Sequence, residues 1–204
     1  MKNIVAISEQ VDLVEERTGA KVKQYGQIFK LNPEVSDIAD EHSVNIGGVN
    51  ILVLGAVNRG GGGCACPENV LIRSLVTDVI LHKDDVLVMD MEAGIEHLGR
   101  ATAQGVDIMV IVVEPGQRSI DTAIKIKKMA KEIGIRKIKF VANKIYNVED
   151  KKMIKAALQE TELIGLIPFS EEMRLSDRTG QSVLDNIDKN MKDCFRSILL
   201  KLSD

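Results

Sequence analysis

Hydrophobic positions along the chain fall into short blocks separated by longer amphipathic stretches. Apolar runs occupy 51–57, 86–90, 108–113, 138–142 and 163–167. Short apolar runs without alternation suit parallel strands that are covered on both faces. Between them the period changes. Leu71, Leu75 and Val79 recur every four residues, with Ile72, Val76 and Ile80 beside them, which predicts a helix ending near Leu81. A helix starting near Ser119 carries Ile126, Met129, Ala130 and Ile133 on one face and stops at Gly134. Another spans 149–159. The last runs over 185–202, with Leu184, Ile187, Met191, Phe195, Ile198 and Leu202 at three- and four-residue steps. Ahead of all these, an apolar lead at 1–7 precedes Ser8, which is placed to cap a helix through Thr18 that Gly19 terminates. Residues 21–50 are polar and weakly patterned, and Gly47-Gly48 reads as a turn into the run at 51. Strand–helix alternation predicts an α/β fold, a mostly parallel sheet with helices on both faces, over 1–204 as one domain. The runs at 51–57, 86–90, 108–113 and 138–142 are expected to lie adjacent or interleaved in that sheet.

Composition narrows the function classes. Hydrophobic residues make up 45% of the 204, enough for a packed core. A net charge of −3 and only 3% aromatics argue against a nucleic-acid surface, which wants a basic face and often stacking rings. Three cysteines, two of them one residue apart, do not make a disulfide framework and fit a reducing compartment. No apolar run reaches the roughly 18 residues of a membrane span, and no signal peptide is visible, so a cytoplasmic protein is expected.

The most unusual stretch is Gly60-Gly61-Gly62-Gly63-Cys64-Ala65-Cys66-Pro67-Glu68-Asn69, set between the run at 51–57 and the helix after it. Pro67 suits the first helical position, where its missing N–H costs nothing. Cys66 is then the expected N-cap, and both sulfurs sit near the positive end of a helix dipole, which favours thiolates. Two buried apolar cysteines are the bland alternative, but alternating cysteines beside polyglycine are poor core material. Structural zinc takes four ligands in a tetrahedron, and one chain offers Cys64 and Cys66. Two chains about a two-fold axis would supply all four, so a metal-bridged homodimer is expected.

In parallel sheets, ligands bind at the carboxyl ends of the strands. Asp90 ends the run Val86-Leu87-Val88-Met89, an arrangement that can hold Mg²⁺. Gly94, four residues on, can bring its N–H to a γ-phosphate, and Glu92, Glu96 and His97 could bind metal or position water. Asn143-Lys144 comes after the run at 138–142, where an Asn can hydrogen-bond a purine edge or simply make a turn. Glu114-Pro115 and Pro168-Phe169 end two further strands.

These strings resemble one family. The segments 63–69 and 90–100 (Asp90-Met91-Glu92-Ala93-Gly94-Ile95-Glu96-His97-Leu98-Gly99-Arg100), with Val113-Glu114-Pro115 and Asn143-Lys144-Ile145, are similar to the CooC type of nickel-insertion ATPase. That family consists of MinD/ParA-like P-loop proteins that help mature carbon monoxide dehydrogenase, and the resemblance covers essentially the whole chain. It implies a nucleotide-switched homodimer using ATP/ADP with Mg²⁺, with a carbon monoxide dehydrogenase-like nickel enzyme as client. It also implies Zn²⁺ or Ni²⁺ at Cys64 and Cys66 between subunits, Asp90 as the Walker B acid and metal ligand, and Glu92 and Gly94 as catalytic companions. Asn143, Lys144 and Pro168 would serve the nucleotide, and neither nucleic acid nor membrane is an expected partner.

One departure from the family matters. No Gly-x-x-x-x-Gly-Lys-Ser/Thr loop occurs in the sequence. The segment at 1–19 resembles the part of the family's chain that lies after that loop, so a strand–loop–helix unit is expected to be missing. The chain alone is then expected to bind ATP poorly, and whether it is an enzyme stays open. A non-enzymatic metal-binding dimerisation module is the alternative. A partitioning-type ATPase ranks third, because the polar face of the 185–202 helix mixes Lys189, Lys192, Arg196 and Lys201 with Asp185, Asp188 and Asp193.

Overall fold

The computed structural model describes residues 4–22, 24, 26–55, 67–82, 86–91 and 106–203. The chain divides into two compact units, Met1–Met91 and Glu92–Asp204.

In the first unit, helices gather around a small apolar core. A 3-10 turn, Ile7–Glu9, leads into α1, Val11–Thr18. Gly19, at φ 74°, ends α1 in the left-handed conformation expected of its stop signal. Ser8 does not cap α1. Its backbone N–H donates to Leu54 O at 3.0 Å and that of Ile7 to Val53 O at 2.9 Å, so this segment is committed to an extended neighbour and the helix starts later. Gly55 closes that neighbour with φ 81°, and a Cβ there would lie 2.2 Å from Ser8 Oγ. The core joins Ile7 and Val14 to Val35, Ile38 of α2 (Ile38–His42), and Leu71 and Leu75 of α3 (Pro67–His82). The four-residue spacing of α3 is thus the core-facing stripe the sequence predicts.

Two expectations for this unit need correction. The run expected as a parallel strand over 51–57 does not enter a parallel sheet in its described part, 51–55. β1, Val44–Ile46, and β2, Val49–Ile51, pair antiparallel, with Asn45 opposite Asn50. Gly47 and Gly48 have φ 60° and 89°, the positive values a two-residue hairpin loop requires. The signal was the repeat of Val-Asn-Ile on both sides of Gly-Gly. The run Val86-Leu87-Val88-Met89-Asp90 is not a strand either: it is irregular, with Val86 95% and Val88 83% exposed. An apolar run becomes a strand only when another backbone pairs with it, and none does among the described residues.

The second unit holds the parallel sheet. β3 (Ile108–Val113), β4 (Lys137–Ile145) and β5 (Leu163–Pro168) lie in the order β3-β4-β5, all parallel. Ile108 pairs with Lys137 and Val113 with Ala142, so the strands end together on one side. Successive β4 residues point to opposite faces. Phe140 lies under Lys127 of α4 (Gln117–Glu132), whereas Val141 packs with Ile187, Met191 and Ile198, the last two in α8 (Lys189–Ser203). Helices therefore cover both faces, as the α/β reading required. Gly165 of β5 lets α8 approach closely: a Cβ there would sit 2.4 Å from Ile198 Cγ1.

Connections obey local signals. Gly134, at φ 93°, ends α4, and the Ile135 N–H donates back to Ala130 O at 3.0 Å. Asn147 caps α5 (Val148–Ala157), accepting from the Asp150 N–H, and Ser170 caps α6 (Glu171–Thr179), accepting from that of Met173. The expected helix over 185–202 is two pieces. α7, Val183–Asn186, stops before extended Ile187, and Asp188 Oδ1 accepts the Met191 N–H at 2.7 Å, starting α8 afresh. Leu184, expected on its apolar face, is 70% exposed.

Candidate nucleotide site at the carboxyl ends of the strands

The carboxyl ends of β3, β4 and β5 bring together residues from three separate segments of the chain. Glu114 comes directly after β3, Asn143 and Lys144 lie near the end of β4, and Pro168 ends β5. Asn143 is half-buried; Lys144 and Pro168 are exposed. The Lys144 Nζ meets Glu114 Oε1 at 2.6 Å, tying the end of β4 to the end of β3. Glu114 is itself steadied by its backbone N–H, which donates to Ser119 Oγ at 3.0 Å. The hydrogen bond to Glu114 holds the Lys144 ammonium above the ordinary lysine range, so the cation is fixed rather than poised to lose its proton.

Lys144 has φ 57°, the one positive φ outside glycine among the described residues. Left-handed backbone at such a residue costs roughly 1–2 kcal/mol, and strain of this kind tends to gather at binding sites. Here the Lys144 N–H donates to Asn143 Oδ1 at 2.9 Å. This fixes the amide plane of Asn143 and leaves its NH₂ group without a partner among the described residues. An amide held in this way can read one edge of a planar base.

The rings of Tyr146 and Phe169 stack at 4.3 Å, inclined by 18°. They stand just past the ends of β4 and β5, and the Phe169 N–H donates to Ile145 O at 3.0 Å. The pair stacks across the ends of the two strands, next in sequence to Ile145 and Pro168, which are paired in register. Sequence reasoning missed it. The usable signal was that a chain with 2 Tyr and 4 Phe places two of these six directly after adjacent strands.

Other sequence candidates fall differently. Asp90 is exposed on the irregular segment of the first unit, so the strand end expected to present it is not formed. Cys64, Cys66, Glu92, Gly94, Glu96 and His97 lie outside the described residues, as does the expected N-cap role of Cys66. α3 does begin at Pro67, the position its ring suits. Among the described residues no group of three or more His, Cys, Asp or Glu could hold a metal. The donor chemistry next to α3 nonetheless suits a soft divalent ion, since thiolates accept both zinc and nickel. Glu68, the second residue of α3, is 8% exposed, and its Oε2 has no hydrogen-bond partner among the described residues.

No protein-family model matches the chain. Individual relatives do. An uncharacterized ATP-binding protein of Methanocaldococcus jannaschii is 44% identical over 205 residues, covering 97% of this chain and 79% of that protein. The carbon monoxide dehydrogenase accessory protein CooC of Rhodospirillum rubrum is 40% identical over 182 residues, 89% of this chain and 69% of CooC. The chain belongs to the CooC-like family of ATP-binding proteins. A second uncharacterized ATP-binding protein of Methanocaldococcus jannaschii is 28% identical over 157 residues, 77% of this chain and 62% of that protein. Membership agrees with the parallel sheet flanked by helices.

Proposed function

We propose that this protein is a nucleotide-dependent accessory factor for a carbon monoxide dehydrogenase-like nickel enzyme, acting in the cytoplasm as a metal-bridged homodimer built on one P-loop-type domain. The observation that carries this reading is the 40% identity to CooC across 89% of the chain. The site at the carboxyl ends of β3–β5 supports its nucleotide half. In this reading Asn143 reads the purine edge, Pro168 and the Tyr146–Phe169 pair pack against the base, and Lys144 with Glu114 holds the loop in shape. Asp90 would hold Mg²⁺, which would neutralise phosphate charge when bound, and Glu92 and Gly94 would serve the γ-phosphate. Cys64 and Cys66 from two chains would hold Zn²⁺ or Ni²⁺, with nickel as the cargo. Among the described residues no helix is long and apolar enough to cross a membrane.

Sedimentation with and without Zn²⁺ or Ni²⁺ tests the metal half. One metal per two chains is expected, and Cys64→Ala or Cys66→Ala should abolish metal-dependent dimerisation while Cys194→Ala should not. A double cysteine variant that still dimerises with metal at the same stoichiometry would remove these ligands from the proposal. The second reading is a metal-binding dimerisation module in which Cys64 and Cys66 work and nucleotide does not. Calorimetry with ATP separates the two. The chain is measured with the family's phosphate loop joined ahead of it: ATP binding that Asn143→Ala weakens supports the nucleotide reading, and metal-dependent dimers without nucleotide binding support the second.

A further inference from the structure

The opposite end of the same sheet carries a feature that the nucleotide reading does not use. At the amino ends of β3–β5 lies a cavity of about 470 Å³. Arg136, Lys137 and Lys139, at the start of β4, and Lys201, near the end of α8, supply four cations to its lining. Its one carboxylate, Glu162, is already engaged by Lys127 at 2.6 Å, with both side chains about one-fifth exposed. The four lining cations have no carboxylate partner among the described residues.

Two of these cations are held in place by the backbone. Lys139 Nζ donates to Thr161 O at 3.3 Å and Lys201 Nζ to Ile164 O at 3.0 Å. An ammonium has three N–H donors, so each keeps two for another acceptor. Lys137 and Lys139 point to the same face of β4 and are spaced two residues apart, about 7 Å along the strand. Ile138 of β4 and Leu202 of α8 are apolar residues that also line it. Four like charges around one concavity repel each other and create a positive potential that concentrates anions. The volume falls within the roughly 300–1,000 Å³ of small-molecule sites.

We infer that this cavity binds a small, multiply charged phosphate-class anion, at a site separate from the carboxyl-end residues. The planar guanidinium of Arg136 suits two phosphate oxygens at once, and the lysines act as point charges on the remaining ones. The phosphoryl groups can be free or attached to a nucleoside, and the same chemistry recognises both.

The test is calorimetry on the full 204-residue chain at low salt with tripolyphosphate as probe. One site per chain is expected. Arg136→Gln/Lys137→Gln should weaken it at least tenfold, while Asn143→Ala leaves it unchanged. Lys151→Gln/Lys152→Gln, on the exposed side of α5, makes the same change in net charge and should have no effect. Arg136 and Lys137 are both exposed, so these variants should fold, which circular dichroism checks; Arg136→Gln alone provides a milder second variant. ADP added to the Asn143→Ala chain identifies the source: competition with tripolyphosphate assigns nucleoside phosphates to the cavity, and no competition assigns free phosphates. No binding at millimolar tripolyphosphate, equal losses in both double variants, or citrate binding as tightly as tripolyphosphate would overturn the assignment. Because Asn143 is intact in the cavity variants, failure here leaves the nucleotide reading standing, and the converse also holds.

Discussion

The two units of this chain satisfy their backbones in different ways. In Glu92–Asp204 the apolar runs find strands beside them: β4 pairs with β3 and with β5, and both faces are then covered by helices. In Met1–Met91 the apolar runs are just as hydrophobic, yet the first gives only Ile51 to a hairpin with a two-glycine turn, and Val86–Val88 stand exposed. The core there is made by α1, α2, α3 and the extended pair formed by Ile7–Ser8 with Val53–Leu54. Hydrophobicity marks a segment for burial, but pairing decides whether it becomes a strand.

The largest effect should come from the parallel-sheet unit. Phe140 is 1% exposed, between β3 and β5 and beneath α4. Phe140→Ala should cost about 3–5 kcal/mol, the usual range for emptying a buried aromatic position. The urea midpoint measures it, with amide exchange showing whether β3–β5 lose protection first. A loss below about 1 kcal/mol, well under that range, would mean that the sheet unit is not the tightly packed one.

Close approach of backbones gives a paired test, one position in each unit. Gly55→Ala places a Cβ 2.7 Å from Ala6 Cβ, at a φ of 81°. Overpacking and left-handed strain together should cost about 2–4 kcal/mol. Gly165→Ala meets the Ile198 side chain instead, which can shift by rotation, so about 1–3 kcal/mol is expected. Reversal of that order in urea unfolding would show that α8 is the more rigid neighbour.

Acid should distinguish the units next. Glu15, Glu34 and Asp37 in the first unit are held below the usual carboxylate range, against Glu172 in the second. For Asp37 the cause is chiefly the hydrogen bond from Arg17, at 2.6 Å. A depressed folded pKa contributes stability above the ordinary value, about 3.9 for Asp, and loses it as pH falls through the folded value. Arg17→Met should therefore destabilise most at neutral pH, with its difference from the parent chain shrinking below about pH 4. A difference that stays constant from neutral pH down into the acid range would show that Arg17 acts through packing alone.

How much of this was legible in the sequence varies with the physics of each element. Ile108–Val113 was read to the residue, and β4, β5, α4 and α5 within a few, because uninterrupted β-branched runs and four-residue stripes are local patterns. The break at Ile187–Asp188 was missed, since helical spacing continues through it and only the Asp188 cap reveals the restart. The hairpin was missed because its strands are three residues long and carry Asn on one face. At the candidate site, the sequence put Asn143 and Pro168 near strand ends, and that is where they lie. The Tyr146–Phe169 stack and the Glu114–Lys144 pair were not legible, because both join residues from different strands, and such adjacency exists only once β3, β4 and β5 are in register.

The smallest effect on stability should be the most informative about the site. Lys144→Gly removes an ion pair whose side chains are 54% and 51% exposed, worth about 0–1 kcal/mol. It also relieves left-handed strain of roughly 1–2 kcal/mol at a residue with φ 57°. The two nearly cancel, so the urea midpoint should stay put or rise slightly. The Lys144–Glu114 contribution belongs below the ordinary lysine value and is lost as pH rises through the raised folded one, so the small gain of Lys144→Gly should grow at alkaline pH. If stability alone explained Lys144, a glycine would serve this turn better. Strain retained at an exposed lysine beside Asn143 points instead to use. Lys144→Gly should weaken nucleotide binding more than it changes folding, and Lys144→Asn, which tolerates the same φ, should fold equally well and bind no better. Stability lost by more than about 1 kcal/mol in both variants, beyond what an exposed ion pair contributes, with binding untouched, would make Lys144 a structural clasp between β3 and β4 rather than part of the site.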